Sequence, residues 1–440
     1  MTTDMKRLCF TVLTRVCALA AAAQNADSLA GAYMNAEDWF ALRRHVEQRR
    51  GDMSPFFATF SDALILGYFN RPTEACDAID RLLADYGDEL GFDNAMSMTV
   101  QKALNLSGSG RNAEAAAAMR DFRERASDDL TEEQTAMLRS QEKLCGELAK
   151  YRLFAPRDDG SPTDVPFRLD TLGPNAYMLM LEGELNGRTF DVVFDTGAGV
   201  NVVSPETAER CGMEFLDVAV SAAGITSAAG RIAVAREFRL GGIVFENVPF
   251  YVLDLRTGNE RADEYLSRLQ VIMGVPTMNV LGNIRLDMGR GTMTVSDRPF
   301  DDEDIGWADL CCVNGSMRVE ARQPDGVPLT LAMDTGSQSS SFNPDYYIRN
   351  KDRLEAAGRR DSIGVAGFGG AVRTEVLNIP YESVELGGRA CYLCNVAVHL
   401  PDNSAGHMFN RLDGTFGLDL FLRFRQVYLD MNRMRLGTRY

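Results

Sequence analysis

Val192-Val193-Phe194-Asp195-Thr196-Gly197 and Leu331-Ala332-Met333-Asp334-Thr335-Gly336 decide how this chain is read. Each is an apolar run that delivers an acid, then a small hydroxyl residue, then a glycine that lets the backbone turn back. The two triplets stand far apart in the chain, the first before its middle and the second well after it. One Asp-Thr-Gly arises by chance roughly 0.1 times in a chain of this length at average residue usage. Two in matching settings are a signal, because two such loops are able to set two carboxylates face to face.

The match extends well past the triplets. Gly224, in Ala223-Gly224-Ile225, follows Asp195 at nearly the interval at which Gly367, in Ala366-Gly367-Phe368, follows Asp334 (224 − 195 against 367 − 334). Val271-Ile272-Met273-Gly274 and Thr415-Phe416-Gly417 repeat the agreement further on (274 − 195 against 417 − 334). Leu286-Asp287-Met288 and Leu429-Asp430-Met431 then place an aspartate at the same distance beyond each of those glycines (287 − 274 = 430 − 417). Four landmarks recurring in order define an internal duplication of about 130 residues.

With 440 residues, 45% apolar and 25% charged, the chain has ordinary globular composition and room for about two to three domains. Its net charge of −16 argues against nucleic acid, whose phosphates need clustered Lys and Arg. The acidity is read as solubility. At the N-terminus Lys6 and Arg7 precede an apolar stretch from Leu8 to Ala22 and an Ala-x-Ala arrangement at Ala21-Ala22-Ala23 before Gln24. That order predicts a signal peptide over residues 1–23 and an exported chain, periplasmic or extracellular. The stretch is short and interrupted by Arg15, so no transmembrane span is expected in the mature chain.

Beyond that segment lie Cys76, Cys145, Cys211, Cys311, Cys312, Cys391 and Cys394, an odd number with no framework spacing. Cys391-x-x-Cys394 has no second such pair, and His45, His399 and His407 show no ligand spacing with it. The segment from Ala390 to His399 reads as a strand with cysteines as small apolar residues, and neither metal nor cofactor is expected.

Residues 25–153 carry helical periodicity, rich in Ala, Leu, Glu and Arg. Ala63 to Tyr68 followed by Glu74-Ala75-Cys76, and Ala103 to Gly108 followed by Glu114-Ala115-Ala116, repeat a helix, a short Asn-containing turn and a second helix at one constant offset (103 − 63 = 115 − 75). This pair resembles degenerate tetratricopeptide repeats, which implies a scaffold or docking surface for a protein partner. Residues 154–164, with Ala155-Pro156-Arg157-Asp158-Asp159-Gly160-Ser161-Pro162, read as a linker. Short β-branched and aromatic runs follow, as in Arg231 to Val234, Ile243 to Val252, Thr292 to Val295 and Val396 to Leu400. The acidic break Asp301-Asp302-Glu303-Asp304 separates two copies, 165–300 and 305–440.

The ordered landmarks of these two copies, which together fill the chain from 165 to its end, resemble the aspartic peptidases of the pepsin and retropepsin group in a fused two-lobe form, the bacterial retropepsin-like proteins being the nearest variety. The resemblance implies a multidomain α and β protein: an N-terminal all-α domain, then two duplicated all-β barrel lobes related by a pseudo-two-fold axis. It implies an aspartic endopeptidase acting on a peptide or protein substrate, with Asp195 and Asp334 as catalytic dyad. Thr196, Gly197, Thr335, Gly336 and Ser337 would support the loops, and Gly224, Ile225 and Thr226 with Gly367, Phe368 and Gly369 would form the flaps over the substrate. Neither flap has the tyrosine typical of pepsins. After the glycine the copies differ, Ala198 against Ser337, and the Ser337 hydroxyl is expected to hydrogen-bond the outer oxygen of Asp334 and make the acids unequal.

Two carboxyls within hydrogen-bond reach hold one proton between them, because like charges so close raise one pKa strongly. The ionised member is then able to deprotonate a trapped water while the protonated one stabilises the oxyanion. The competing reading is a non-catalytic cell-envelope protein holding a peptide in the groove, for which two mutually repelling carboxylates have no use. A Ser/His hydrolase fits badly, as no Gly-x-Ser-x-Gly elbow lies near any histidine. Gly367-Phe368-Gly369-Gly370 lacks the spacing of a nucleotide loop.

Overall fold

The computed structural model describes residues 25–156, 162–173, 176–223, 227–256, 260–301, 303–367, 370–401 and 411–440. The expected signal segment 1–23 lies outside these. The chain divides into a helical unit up to Leu153, with which the stretch Leu216–Val218 groups, and a β-rich unit of the rest. Among the described residues no helix is long and apolar enough to cross a membrane.

Helix starts in the first unit follow local chemistry. Asn25, Asp38 and Ser54 each accept a backbone N–H three residues on, and Thr131 with Gln134 forms a reciprocal capping box. Two helical hairpins occupy the repeated stretches. Pro55–Tyr68 turns into Pro72–Asp85 through Asn70 at φ 58°, and Phe92–Gly108 turns into Asn112–Arg125 through Gly110 at φ 75°. Val100, Ala103, Leu106, Ala115 and Met119 from the second hairpin share one core with Leu138 and Cys145 of the helix Glu132–Leu148.

The β-rich unit builds the same local topology twice. In its first half the strand Arg188–Phe194 runs parallel to Val271–Met273, which is also antiparallel to the short strand Val202–Val203. In its second half Pro328–Met333 runs parallel to Gly414–Phe416, itself antiparallel to Ser341–Phe342. Each aspartate therefore emerges from a strand pinned on its far side by the apolar-apolar-Gly element. Each half also carries a long antiparallel hairpin, Glu214–Ala223 with Ser227–Leu240 and Arg359–Gly367 with Gly370–Leu386.

The last landmark has a structural cause. Strands from both halves join in one antiparallel sheet, in the order Thr163–Gly173, Thr292–Ser296, Asn283–Asp287, Gln426–Asp430, Arg435–Arg439, Gly306–Val313. Its middle register pairs Asn283 with Asp430 and Asp287 with Gln426. A single shift along the chain (426 − 283 = 430 − 287) exchanges these two pairs, so the duplication is a two-fold relation at this seam. Asp287 accepts the Arg290 N–H at 3.0 Å and Asp430 accepts the Arg433 N–H at 2.8 Å, each closing the turn into its half's next strand.

The sheet runs continuously across the halves past the acidic break near residue 303. Two sequence expectations change here. The expected linker 154–164 is partly strand: Ala155–Pro156 pairs with Phe245 and Glu246, and Thr163 begins the strand to Gly173. Proline is tolerated there in a strand only two residues long. The halves are also not all-β, since the second holds the 14-residue helix Pro344–Ala357. Pro344 at its first turn suits a helix start, and Tyr346, Tyr347 and Leu354 give it a buried face. Tyr346 stacks on Phe342 with centroids 4.0 Å apart.

Candidate active site

Asp195 and Asp334 leave their strands at matching points. The Asp195 N–H donates to Met273 O at 3.1 Å and the Asp334 N–H to Phe416 O at 2.9 Å. One step later the loops interlock. The Thr196 N–H donates to Thr335 Oγ1 at 3.0 Å, the Thr335 N–H donates to Thr196 Oγ1 at 2.9 Å, and Thr335 Oγ1 donates to Phe194 O at 2.7 Å. Both threonines are buried, at 0% and 1% exposure, so these bonds have no water to replace them. Thr335→Val keeps the shape but orphans the Thr196 N–H and the Phe194 carbonyl. Urea unfolding is expected to show a loss of about 2–4 kcal/mol, largely recovered in Thr335→Ser.

The glycines of the triplets are explained by the opposite loop. A Cβ on Gly336 would lie 2.6 Å from Asp195 Oδ2, and one on Gly197 would fall inside the Asp334 carboxyl. Each aspartate thus rests on the glycine of the other half, which brings the two carboxyls near enough to act on each other. The Gly197 N–H donates to Asp195 Oδ1 at 2.8 Å, and the Ser337 N–H donates to Asp334 Oδ1 at 3.0 Å.

The Ser337 hydroxyl departs from expectation. It donates to Ser339 O at 3.1 Å, the bond to Asp334 coming from the backbone N–H, which the tight turn already aims at the carboxylate. Of the expected flap residues, Gly367 ends the strand Arg359–Gly367, while Gly224, Ile225, Thr226, Phe368 and Gly369 lie outside the described residues. Cys391 is buried and Cys394 exposed, on opposite faces of the strand Arg389–His399.

Two anchors were not read from the sequence. Asn201 and Ser340 each stand six positions after an aspartate. Asn201 Oδ1 accepts the Gly274 N–H at 3.0 Å and the Thr277 hydroxyl at 2.9 Å. Ser340 Oγ accepts the Gly417 N–H at 3.0 Å and donates to Asp419 at 2.7 Å. The equal offset was the available signal, but Asn and Ser share only small size and polarity.

Burial first and the adjacent Asp334 charge second raise Asp195 to about 8, against the lowering effect of the Gly197 N–H. Burial also raises Asp334, while the Ser337 N–H and the neighbouring Asp195 pull it down. A free aspartate ionises near 3.8. Below that pH both folded and unfolded chains hold the proton. As pH climbs towards about 8 the unfolded chain sheds its proton first, so this site costs the native state stability in that window. Asp195→Asn is therefore expected to be the more stable protein at pH 7. Both aspartates are part-exposed, which limits the gain to on the order of 1–2 kcal/mol, and it should vanish below about pH 4 in pH-dependent melting.

Residues 181–283, which include Asp195-Thr196-Gly197, match the family model "Aspartyl protease". A search of the curated proteins finds no match. Among solved structures, the basic 7S globulin from soybean is 12% identical and aligns over 63% of this chain and 94% of its own, with a TM-score of 0.40. Conglutin gamma, a basic 7S globulin from lupine seeds, is 10% identical over 64% and 95%, with a TM-score of 0.39. A retropepsin-like aspartic protease from Rickettsia conorii is 13% identical over 32% of this chain and 94% of its own, with a TM-score of 0.23. Likeness of this size leaves the chemistry to the residues of the chain itself.

Proposed function

We propose that this protein is an aspartic endopeptidase built from two retropepsin-like lobes, hydrolysing peptide bonds with a water activated between Asp195 and Asp334. The observation that carries the reading is the crossed approach of the two carboxyls, each laid over the other loop's glycine and both raised by burial. A binding groove gains nothing from holding two acids in mutual repulsion.

The pair carries one proton. The ionised carboxylate accepts a proton from water as the oxygen adds to the peptide carbonyl, and the protonated partner donates a hydrogen bond to the oxyanion that forms. Transfer of a proton to the amide nitrogen breaks the C–N bond, giving a free amine and a free acid, and leaves the pair with one proton again.

The test is cleavage of a peptide library across pH 3 to 8, read by mass spectrometry. Because the active form is singly protonated, turnover is expected to pass through a maximum and fall as pH rises towards about 8, where the last proton leaves. Activity that keeps climbing above pH 8 would contradict a shared-proton dyad.

A further inference from the structure

The two halves present unlike side chains around the same backbone. Aligning the loop of Asp195 with that of Asp334 matches Ala198 with Ser337, Gly199 with Gln338 and Val200 with Ser339. Strand register extends the comparison. Met180 pairs with Val193, two positions before Asp195, and Arg318 pairs with Ala332, two positions before Asp334. Alternate residues of a strand share a face. These four positions therefore lie on the faces from which the aspartates emerge.

In the first half that face is apolar. Met178, Met180 and Val193 belong to one buried cluster, and the part-exposed Ala198 and Val200 of the aspartate loop pack against it. In the second half the loop positions and the position of Met180 are polar. Ser337 and Gln338 are part-exposed, Ser339 is exposed, and Ala332 offers little apolar bulk. Arg318, at 8% exposure, puts a cation where the first half has Met180.

We propose, resting on the peptidase reading above, that the two sides of the scissile bond are selected by opposite chemistry. The substrate side chain lying along the first half is apolar, and the one lying along the second half is acidic or uncharged polar, with Lys and Arg rejected. An apolar side chain gains from burial against the part-exposed Ala198 and Val200, which the methionine cluster backs, but not against hydroxyls and an amide. A basic side chain beside the Arg318 wall meets like charge in a partly desolvated place, which selects by repulsion as much as by attraction.

The experiment incubates the full chain with peptides varied at the two residues flanking the cleaved bond. Cleavage is expected to favour one apolar and one polar flank by about tenfold over two apolar flanks. Ser339→Val and Arg318→Met should each move the polar position towards apolar residues, and Val200→Ser should weaken the preference at the apolar position. Ser339 is exposed, so its variant keeps the test available even where Arg318→Met does not fold. Equal preferences at the two positions overturn the inference, as do swaps that change nothing while hydrolysis still requires Asp195; either result leaves the peptidase reading standing. If no peptide is cleaved, the peptidase reading falls, and capture of the same library on immobilised Asp195→Asn protein decides instead. Apolar–polar enrichment on that column upholds the unequal walls, and uniform or absent capture overturns them.

Discussion

Asp195→Asn is expected to lower kcat on a cleavable peptide by on the order of 10³-fold or more, and Asp334→Asn to do the same. The reason is the shared proton. An amide in either place cannot take the water's proton or complete the single-proton pair, so neither carboxyl works without the other. The double variant should therefore cost little beyond either single one, because groups that act as a unit are not additive. KM is expected to move far less than kcat, since neither substitution alters the hairpins and strand ends on which the proposed reading seats the peptide. Far-ultraviolet circular dichroism and melting should show folded protein throughout, with no loss of stability at neutral pH. A single variant that still turns over near the wild-type rate would mean that the dyad is not the catalyst.

Gly336→Ala is the second large effect. Its added methyl would stand 2.6 Å from Asp195 Oδ2. What it meets is the end of a side chain, so the fold is able to yield by rotating the Asp195 carboxyl away, and a modest stability change is expected. The same rotation breaks the alignment of the pair. A displacement of about 1 Å at reacting groups costs roughly 100-fold in rate, so kcat should fall by about that factor with KM nearly constant. Gly197→Ala makes the reciprocal test on Asp334, whose carboxyl occupies the corresponding space. Near-normal kcat in both variants would show that the crossed approach is not the working geometry.

The paired Asp-Thr-Gly loops were legible because the constraint behind them is local in sequence. An apolar strand, an acid, a hydroxyl and a glycine fit one tight turn, and the duplication made a weak triplet into a strong pattern. The apolar-apolar-Gly elements were legible for a related reason. Gly274 and Gly417 lie where a Cβ would enter the backbone of the aspartate loops, at Val200 and Ser339 respectively, so the residue type is forced. Leu286-Asp287 and Leu429-Asp430 were visible as landmarks without a cause, and only the pairing of their strands with each other supplied one. Asn201 and Ser340 were missed, since a hydrogen bond to Gly274 or Gly417 joins distant parts of the chain and leaves no periodicity.

The sequence by itself determined that this protein has a helical first part, a duplicated β-rich second part and two matched acidic loops. Helix caps, apolar runs and turn glycines act within a few residues and are written in the order of the chain. The tertiary structure alone decided that the halves share one sheet, that each carboxyl rests on the other half's glycine, that the threonines lock the loops crosswise and that the Ser337 hydroxyl turns to Ser339. These depend on backbone groups brought together from opposite halves of the β-rich unit and on which neighbour each donor finds first, and chain order carries no record of either.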